Sequence, residues 1–486
     1  MAFTNFCCRS GGSNLNAGTL TGDTTEPGTG ASFTYASGSW VQSTGVFTVA
    51  SGDPASDGVA VGDFASVYAD GSTVTGFVGR ITARDATTIT VSSTAKAGTK
   101  PTDGSSDRTL KVGGAWAGPN GAVNFPFGFV QNTLTNAAAN HTRINLKDAA
   151  TYSVTAAVAH ANAGPITWQG YTSAYGDLGK WILDGGTSGA SYALLTVSGA
   201  GNLMLDYILQ NNGATGSANG LVVSSNRSFF ARGVVNSVRG NGIIVTGSWN
   251  MMAEVEAYAC NQGNAGNLGG FSLQGNYFRG VRLIAHDNAG SNNSGIFATD
   301  SVYCVLLNCI SESNGRDGLY SQDGGSNWFL SHCDFYNNGR DGVRFDSAAG
   351  NYPFFVENSN FVKNAGYGLH VVTATGGTVG ILSKCGFGAG TQANTSGQTN
   401  NLGDSVDVSS SVTFADDVTP WVDPANGDFR ISLAAAINAG RGTFTQTAAS
   451  YAGAIGYPDI GAVQHLESAG GGSLLRHPGM NGGLNA

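Results

Sequence analysis

The chain has 486 residues, with 74 glycines, 11 prolines, 41% hydrophobic and 11% charged residues, and a formal net charge of −9. That hydrophobic share excludes a disordered chain, and glycine without a three-residue period excludes collagen. An acidic chain with no run of lysine or arginine has no bulk attraction for nucleic acid, and no stretch of about 18 apolar residues is present to insert in a membrane.

Residues 1–32 are polar, with Phe3, Phe6 and Leu15 as apolar anchors. They read as an N-terminal arm, flexible or ordered by a neighbouring subunit. The first dozen residues lack the basic and apolar regions of a secretory signal, so export by that route is not expected. Residues 33–95 carry short, evenly spaced strands, with turns at Asp70-Gly71 and Arg84-Asp85, and predict a small antiparallel barrel or sandwich. Gly62-Asp63-Phe64 and the strand after it resemble small β modules of bacteriophage tail and fibre proteins. Residues 96–130 read as a linker and then a solenoid cap, supplied by Trp116, Phe125 and Phe127.

Over residues 131–395 the pattern becomes periodic. Asn-Gly-Arg-Asp-Gly occurs at 314–318 and again at 338–342, a spacing of 338 − 314 = 24 residues. Around these copies runs a series in which glycine precedes an apolar residue: Gly220, Gly242, Gly270, Gly295, Gly318, Gly342 and Gly368. Two positions beyond that residue the chain is apolar again, Ser321 being the one exception, which describes strands with one buried face. Asn314, Asn338 and Asn364 stand four residues before the next glycine and suit tight bends of positive φ. Such a unit cannot bury its own apolar face, but stacked copies can. The fold class is therefore all-β: a parallel β-helix of about ten coils, preceded by the small antiparallel module. The leucine-rich-repeat signature is absent.

This repeat pattern resembles the right-handed parallel β-helix of the pectin-lyase-like family, which includes polysaccharide lyases and bacteriophage tailspikes. Ile166-Thr167-Trp168 and Trp181-Ile182-Leu183 are similar to its opening coils. Residues 396–466 form a closing β segment, in which Asp428-Phe429-Arg430, Ala436-Ile437-Asn438 and Asp459-Ile460-Gly461 resemble the series that ends many such solenoids. Residues 467–486 are a glycine-rich C-terminal tail. Of the seven cysteines, Cys309, Cys333 and Cys385 fall in one repeat column as small buried residues, and Cys7 and Cys8 fall outside it. No CxxC pair supports a zinc site, and no metal or cofactor is expected.

The family's depolymerases use carboxylates along a groove, so the resemblance makes Asp317, Asp323 and Asp341 catalytic candidates. The residues alone give a plainer reading, with aspartate before glycine as turn chemistry and Arg316, Arg340, Asp317 and Asp341 as a solvated charge ladder. His286 and His332 read as surface residues. Tyr303, Tyr320, Trp328, Phe329, Tyr336 and Tyr352 could form a sugar-stacking strip or fill the core. The expected function is a structural virion protein of a bacteriophage, a fibre, spike or decoration subunit contacting host surface glycan. It would be a homo-oligomer, with a trimer favoured by the resemblance, and would meet other virion proteins through its arm and tail. Two alternatives stand beside it, a tailspike-like depolymerase or lyase and a bacterial cell-surface β-helix protein.

Overall fold

The computed structural model describes residues 2–9, 17, 30–70, 72, 77–92, 100–114, 140–148, 151–154, 156–161, 166–186, 192–213, 218–261, 268–288, 290–322, 326–346, 354–372, 380–388, 412–414, 419–426 and 428–432. They fall into two compact units, Met1–Ala214 with Ser224–Phe229, and Thr215–Val223 with Phe230–Ala486. Among the described residues no helix is long and apolar enough to cross a membrane.

The first unit holds a closed six-stranded barrel in the order Phe33–Val41, Val46–Thr48, Thr88–Val91, Phe77–Arg84, Phe64–Ala69, Gly104–Val112. Trp40, Phe47, Phe77, Ile89 and Leu110 fill it. The sixth strand comes from the stretch expected to be linker, and it pairs with both Phe33–Val41 and Phe64–Ala69. Without it two strands would be left with unpaired edges. The module thus ends near residue 112 rather than 95, and the cap expected from Trp116, Phe125 and Phe127 lies outside the described residues.

The N-terminal arm is also corrected. Ala2–Cys8 is a strand, paired in parallel with Asn140–Lys147, which pairs on its other side with Ile166–Tyr171. It covers an edge that would otherwise stay open, and this gives the paired cysteines a place. Cys7 and Cys8 are fully buried, and Cys7 Sγ lies 3.0 Å from the Tyr171 hydroxyl.

In the second unit each coil contributes one short strand to each of three parallel ladders. The first contains Val302–Leu307, Ser326–Ser331 and Phe354–Glu357. The second contains Glu256–Tyr258, Ile284–His286, Ile310–Glu312, Asp334–Tyr336 and Asn360–Val362. The third contains Ile243–Val245, Leu268–Leu273, Asn293–Thr299, Leu319–Gln322, Val343–Asp346 and Leu369–Val371. The apolar residue after each glycine of the series faces the core, as do the residues two further on. Ser321 is the instructive exception, because its buried hydroxyl accepts the indole N–H of Trp328 at 3.2 Å. The solenoid has about 8 turns rather than ten. Some coils exceed the 24-residue spacing: Val158 pairs with Leu195, 195 − 158 = 37 residues on, because the loop around Ser173–Gly179 lengthens that turn.

The asparagines do not make the bends. Their side chains stack inside the coil: Asn288 Nδ2 donates to Asn314 Oδ1 at 2.8 Å, Asn314 to Asn338 at 3.0 Å, and Asn338 to Asn364 at 2.9 Å. Each also donates to a carbonyl one coil back, as Asn338 does to Ser311 at 3.0 Å. Left-handed φ falls one residue earlier, on Asp287, Ser313, Asn337 and Lys363. The glycines follow from this packing. A Cβ on Gly318 would lie 2.5 Å from the Gly342 carbonyl oxygen and 2.9 Å from Asn338 Nδ2. Close approach, not turn conformation, requires glycine there.

Candidate functional site

Three surface features of the second unit merit comparison. The first is the repeated pentapeptide. Arg316 and Arg340 are stacked as expected, since the Arg340 amide donates to the Arg316 carbonyl at 2.6 Å. Asp317 and Asp341, however, are almost wholly buried, not solvated. Arg340 grips Asp317 with two nitrogens, Nε at 2.7 Å, and the Asp341 amide adds a third bond at 3.1 Å. Asp341 accepts from His370 Nδ1 at 2.9 Å, the Tyr367 amide at 2.8 Å and Arg344 at 3.2 Å. The guanidinium carbons of Arg316, Arg340 and Arg344 lie 4.3, 5.3 and 6.0 Å from the centre of the Tyr320 ring. Burial pushes the Asp317 carboxyl up against the pull of Arg340, whereas the bonds from His370 and Tyr367 outweigh burial and hold Asp341 low. Arginines and aspartates here satisfy one another, which is the arrangement of a latch. Asp323 lies outside the described residues.

The second feature lies on the outward face of the second ladder. Register places Tyr258, His286, Glu312 and Tyr336 in one column on four successive coils, roughly 4.8 Å apart. The rings of Tyr258 and His286 stack with centroids 4.9 Å apart. Both ring nitrogens of His286 meet carboxylates, Nε2 to Glu256 at 2.9 Å and Nδ1 to Asp287 at 2.8 Å. Burial would lower its pKa, but those two partners prevail and lift it to about 9, so the ring is an imidazolium at neutral pH. Glu312, one coil on, differs. Its carboxyl is mostly buried and makes no hydrogen bond among the described residues. Burial raises it to about 7 despite the cation of His286, with Asp287 and Asp334 adding to the rise. Beyond Glu312 the column is roofed by the hairpin of Trp421–Asp423 and Asp428–Ile431, whose Trp421 and Phe429 pack edge-on to Tyr336 at 5.3 and 6.1 Å. Glu312 therefore sits where the roof begins.

His332 and Glu357, proposed as groove residues or surface polar groups from sequence, are both buried. Ser331 Oγ lies 2.8 Å from His332 Nδ1 and donates to Glu357 at 3.0 Å. Burial drops His332 to about 4, and no solvent reaches this group.

The third feature is a stack of aromatic rings at the corner leading into the first ladder. Trp249 and Tyr277 are 3.9 Å apart and Tyr277 and Tyr303 5.0 Å apart, both pairs nearly parallel. All three residues hold left-handed φ of 58–62°, and Trp249 and Tyr303 are 52% and 49% exposed. Among the aromatics singled out from sequence, Tyr303 belongs to this stack, while Tyr320, Trp328 and Tyr336 are buried and Tyr352 is outside the described residues. Trp249 and Tyr277 were not legible as surface rings, because the bend that exposes them carries no glycine.

Residues 193–380 match the family model described as a right handed beta helix region. No curated protein matches the sequence. Among solved structures, the chain is 18% identical to pectate lyase Pel9A, covering 68% of this chain and 89% of that one with a TM-score of 0.52. It is 15% identical to the A-module of the Azotobacter vinelandii mannuronan C-5 epimerase AlgE4, over 51% of this chain and 68% of that one, TM-score 0.40. It is 11% identical to tailspike protein 2 from an Escherichia coli O157:H7 bacteriophage, over 74% of this chain and 48% of that one, TM-score 0.42. Likeness at these identities speaks to fold alone. The fold is a pectin-lyase-like right-handed parallel β-helix, with a small closed antiparallel barrel before it in sequence.

Proposed function

We propose that the chain is a surface component of a bacteriophage particle, a fibre, spike or decoration subunit, that holds glycan of the host surface. The observation that carries the glycan part is the stack of Trp249, Tyr277 and Tyr303. A bulky residue in the left-handed region costs about 1–2 kcal/mol, and asparagine or glycine would avoid that cost. Ring stacking returns about 0.5–1.5 kcal/mol per pair and leaves the rings half in water, so stability alone gives little reason for three in succession. Sugar rings laid on the open aromatic surface supply one. The virion part is supported by the order of a small barrel, a stiff solenoid and a glycine-rich end, with no segment recognised as a secretory signal.

The test has two arms. Immobilised lipopolysaccharide and capsule preparations should retain the full chain, and Trp249→Ala with Tyr303→Ala should lose retention at unchanged melting temperature. Antibody to the chain should decorate purified phage particles in electron micrographs. Retention that survives the double substitution, or particles that stay unlabelled, would defeat the corresponding part of the proposal.

A further inference from the structure

The groove edge between the second ladder and the hairpin holds a second candidate activity. We infer that Glu312 is the proton donor of a glycoside-hydrolysing site, with Asp423 of the hairpin as its base and the retained surface glycan as substrate. This rests on the glycan reading above and adds chemistry to it.

Four observations converge. Glu312 is mostly buried and makes no hydrogen bond among the described residues, while Asp317 on the same coil is saturated with partners. A carboxyl kept that way has no structural task, and a mostly buried acid without a partner stays protonated into the neutral range. His286 cannot serve as base or acid, because both its nitrogens are engaged by Glu256 and Asp287. It stands as a fixed cation one coil away. The second carboxylate comes from the roof: Asp423 is exposed on the hairpin, where Asn426 holds it at 2.7 Å. The Tyr336 phenol is pushed up by burial and then by both Glu312 and Asp423, so the two carboxyls lie within electrostatic reach of one hydroxyl. Asp287 and Asp334 also face Glu312, from the strands on either side, and both favour its protonated form. Asp334 itself is buried and accepts from Asn360 at 2.9 Å, which removes it as the base.

The chemistry balances with one water. Glu312 gives its proton to the glycosidic oxygen as the bond from the anomeric carbon breaks. Asp423 takes a proton from the water whose oxygen bonds to that carbon. Glu312 leaves as carboxylate, Asp423 as acid, and both return to their starting forms through solvent.

The experiment uses the full chain on the lipopolysaccharide and capsule preparations it retains, in heavy-oxygen water. New reducing ends should appear, each carrying one heavy oxygen, and the rate should fall as pH rises through about 7. Glu312→Gln should lower the rate about 10²–10⁴-fold, the span of general acid catalysis, and Asp423→Asn should lower it too, both with glycan still retained. Ends without heavy oxygen but with the ultraviolet absorbance of an unsaturated uronate would overturn hydrolysis in favour of elimination. Undiminished cleavage by Glu312→Gln, or retention with no cleavage of any preparation, would overturn the assignment and leave the binding proposal standing. Failure of all retention would sink the binding proposal first.

Discussion

Glu312 and Asp317 are carboxyls five residues apart on one coil, and their surroundings are opposite. Asp317 lies in the corner before the third ladder, gripped by Arg340 and capped by a backbone amide. Glu312 ends a strand of the second ladder and bonds to nothing described. Both are removed from water, so burial alone does not separate them. The difference is in what surrounds the charge. In one place the chain has spent arginine, histidine and backbone amides on satisfying carboxylates, and in the other it has left one unmet. A repeated motif draws attention to the first, whereas the second is where chemistry has room.

That contrast can be broken in several places. Asp317→Ala should have the largest effect, because it strands the Arg340 guanidinium and the Asp341 amide. A loss of about 3 kcal/mol is expected in urea unfolding, below the full value for a buried pair since Arg340 is partly in contact with solvent. Glu312→Gln should do the reverse. Its folded pKa of about 7 stands above the unfolded value near 4.5, so this carboxyl's contribution to stability is complete below about pH 4.5 and is lost as pH rises through about 7. The variant should match the parent at pH 4 and exceed it at pH 8 by up to about 3 kcal/mol. Equal stability at both pH values would show that Glu312 is hydrated like any surface acid.

His286→Gln sharpens the comparison from the next coil. The raised pKa of His286 gives stability that is full below about pH 6.5 and lost as pH rises through about 9. With Asp287 mostly in water, that contribution should be roughly 1–2 kcal/mol, and the variant's unfolding should lose its slope across this window. The smallest change should come from Tyr320→Leu, which keeps the buried volume and removes the ring beneath three arginines. About 1 kcal/mol should be lost, less at high salt. If it instead cost as much as Asp317→Ala, the ring and not the carboxylates would be the centre of the latch.

The coil was legible because its constraints repeat. Gly318 and Gly342 meet the same carbonyl oxygen of the next coil, and the apolar residue after each faces the same core, so spacing alone exposes them. The bends were not legible, since Arg282, His332 and Lys384 hold left-handed φ with no sequence sign of it. Their strain is borne by ladder bonds made with residues one coil away. The burial of Asp317 was hidden for a related reason: aspartate before glycine looks like turn chemistry until Arg340 of the next coil is set over it. The Glu312 groove could not be read at all. It needs the register of four strands together with a hairpin more than a hundred residues further along the chain. The sixth barrel strand escaped because Asp103 and Asp107 made its start look like loop.

The asparagine ladder from Asn288 to Asn364 has one more consequence. Each amide binds the one above and the one below by the same two groups, so any coil's ladder position is compatible with any other's. Duplicating the 24 residues from Asn314 to Asn337 would add a rung without disturbing those on either side, whereas inserting 23 would set an arginine or glycine where an amide must stand. Reach is thus a heritable trait that this chain can lengthen or shorten in whole steps, by unequal copying of its own gene, without inventing a new contact.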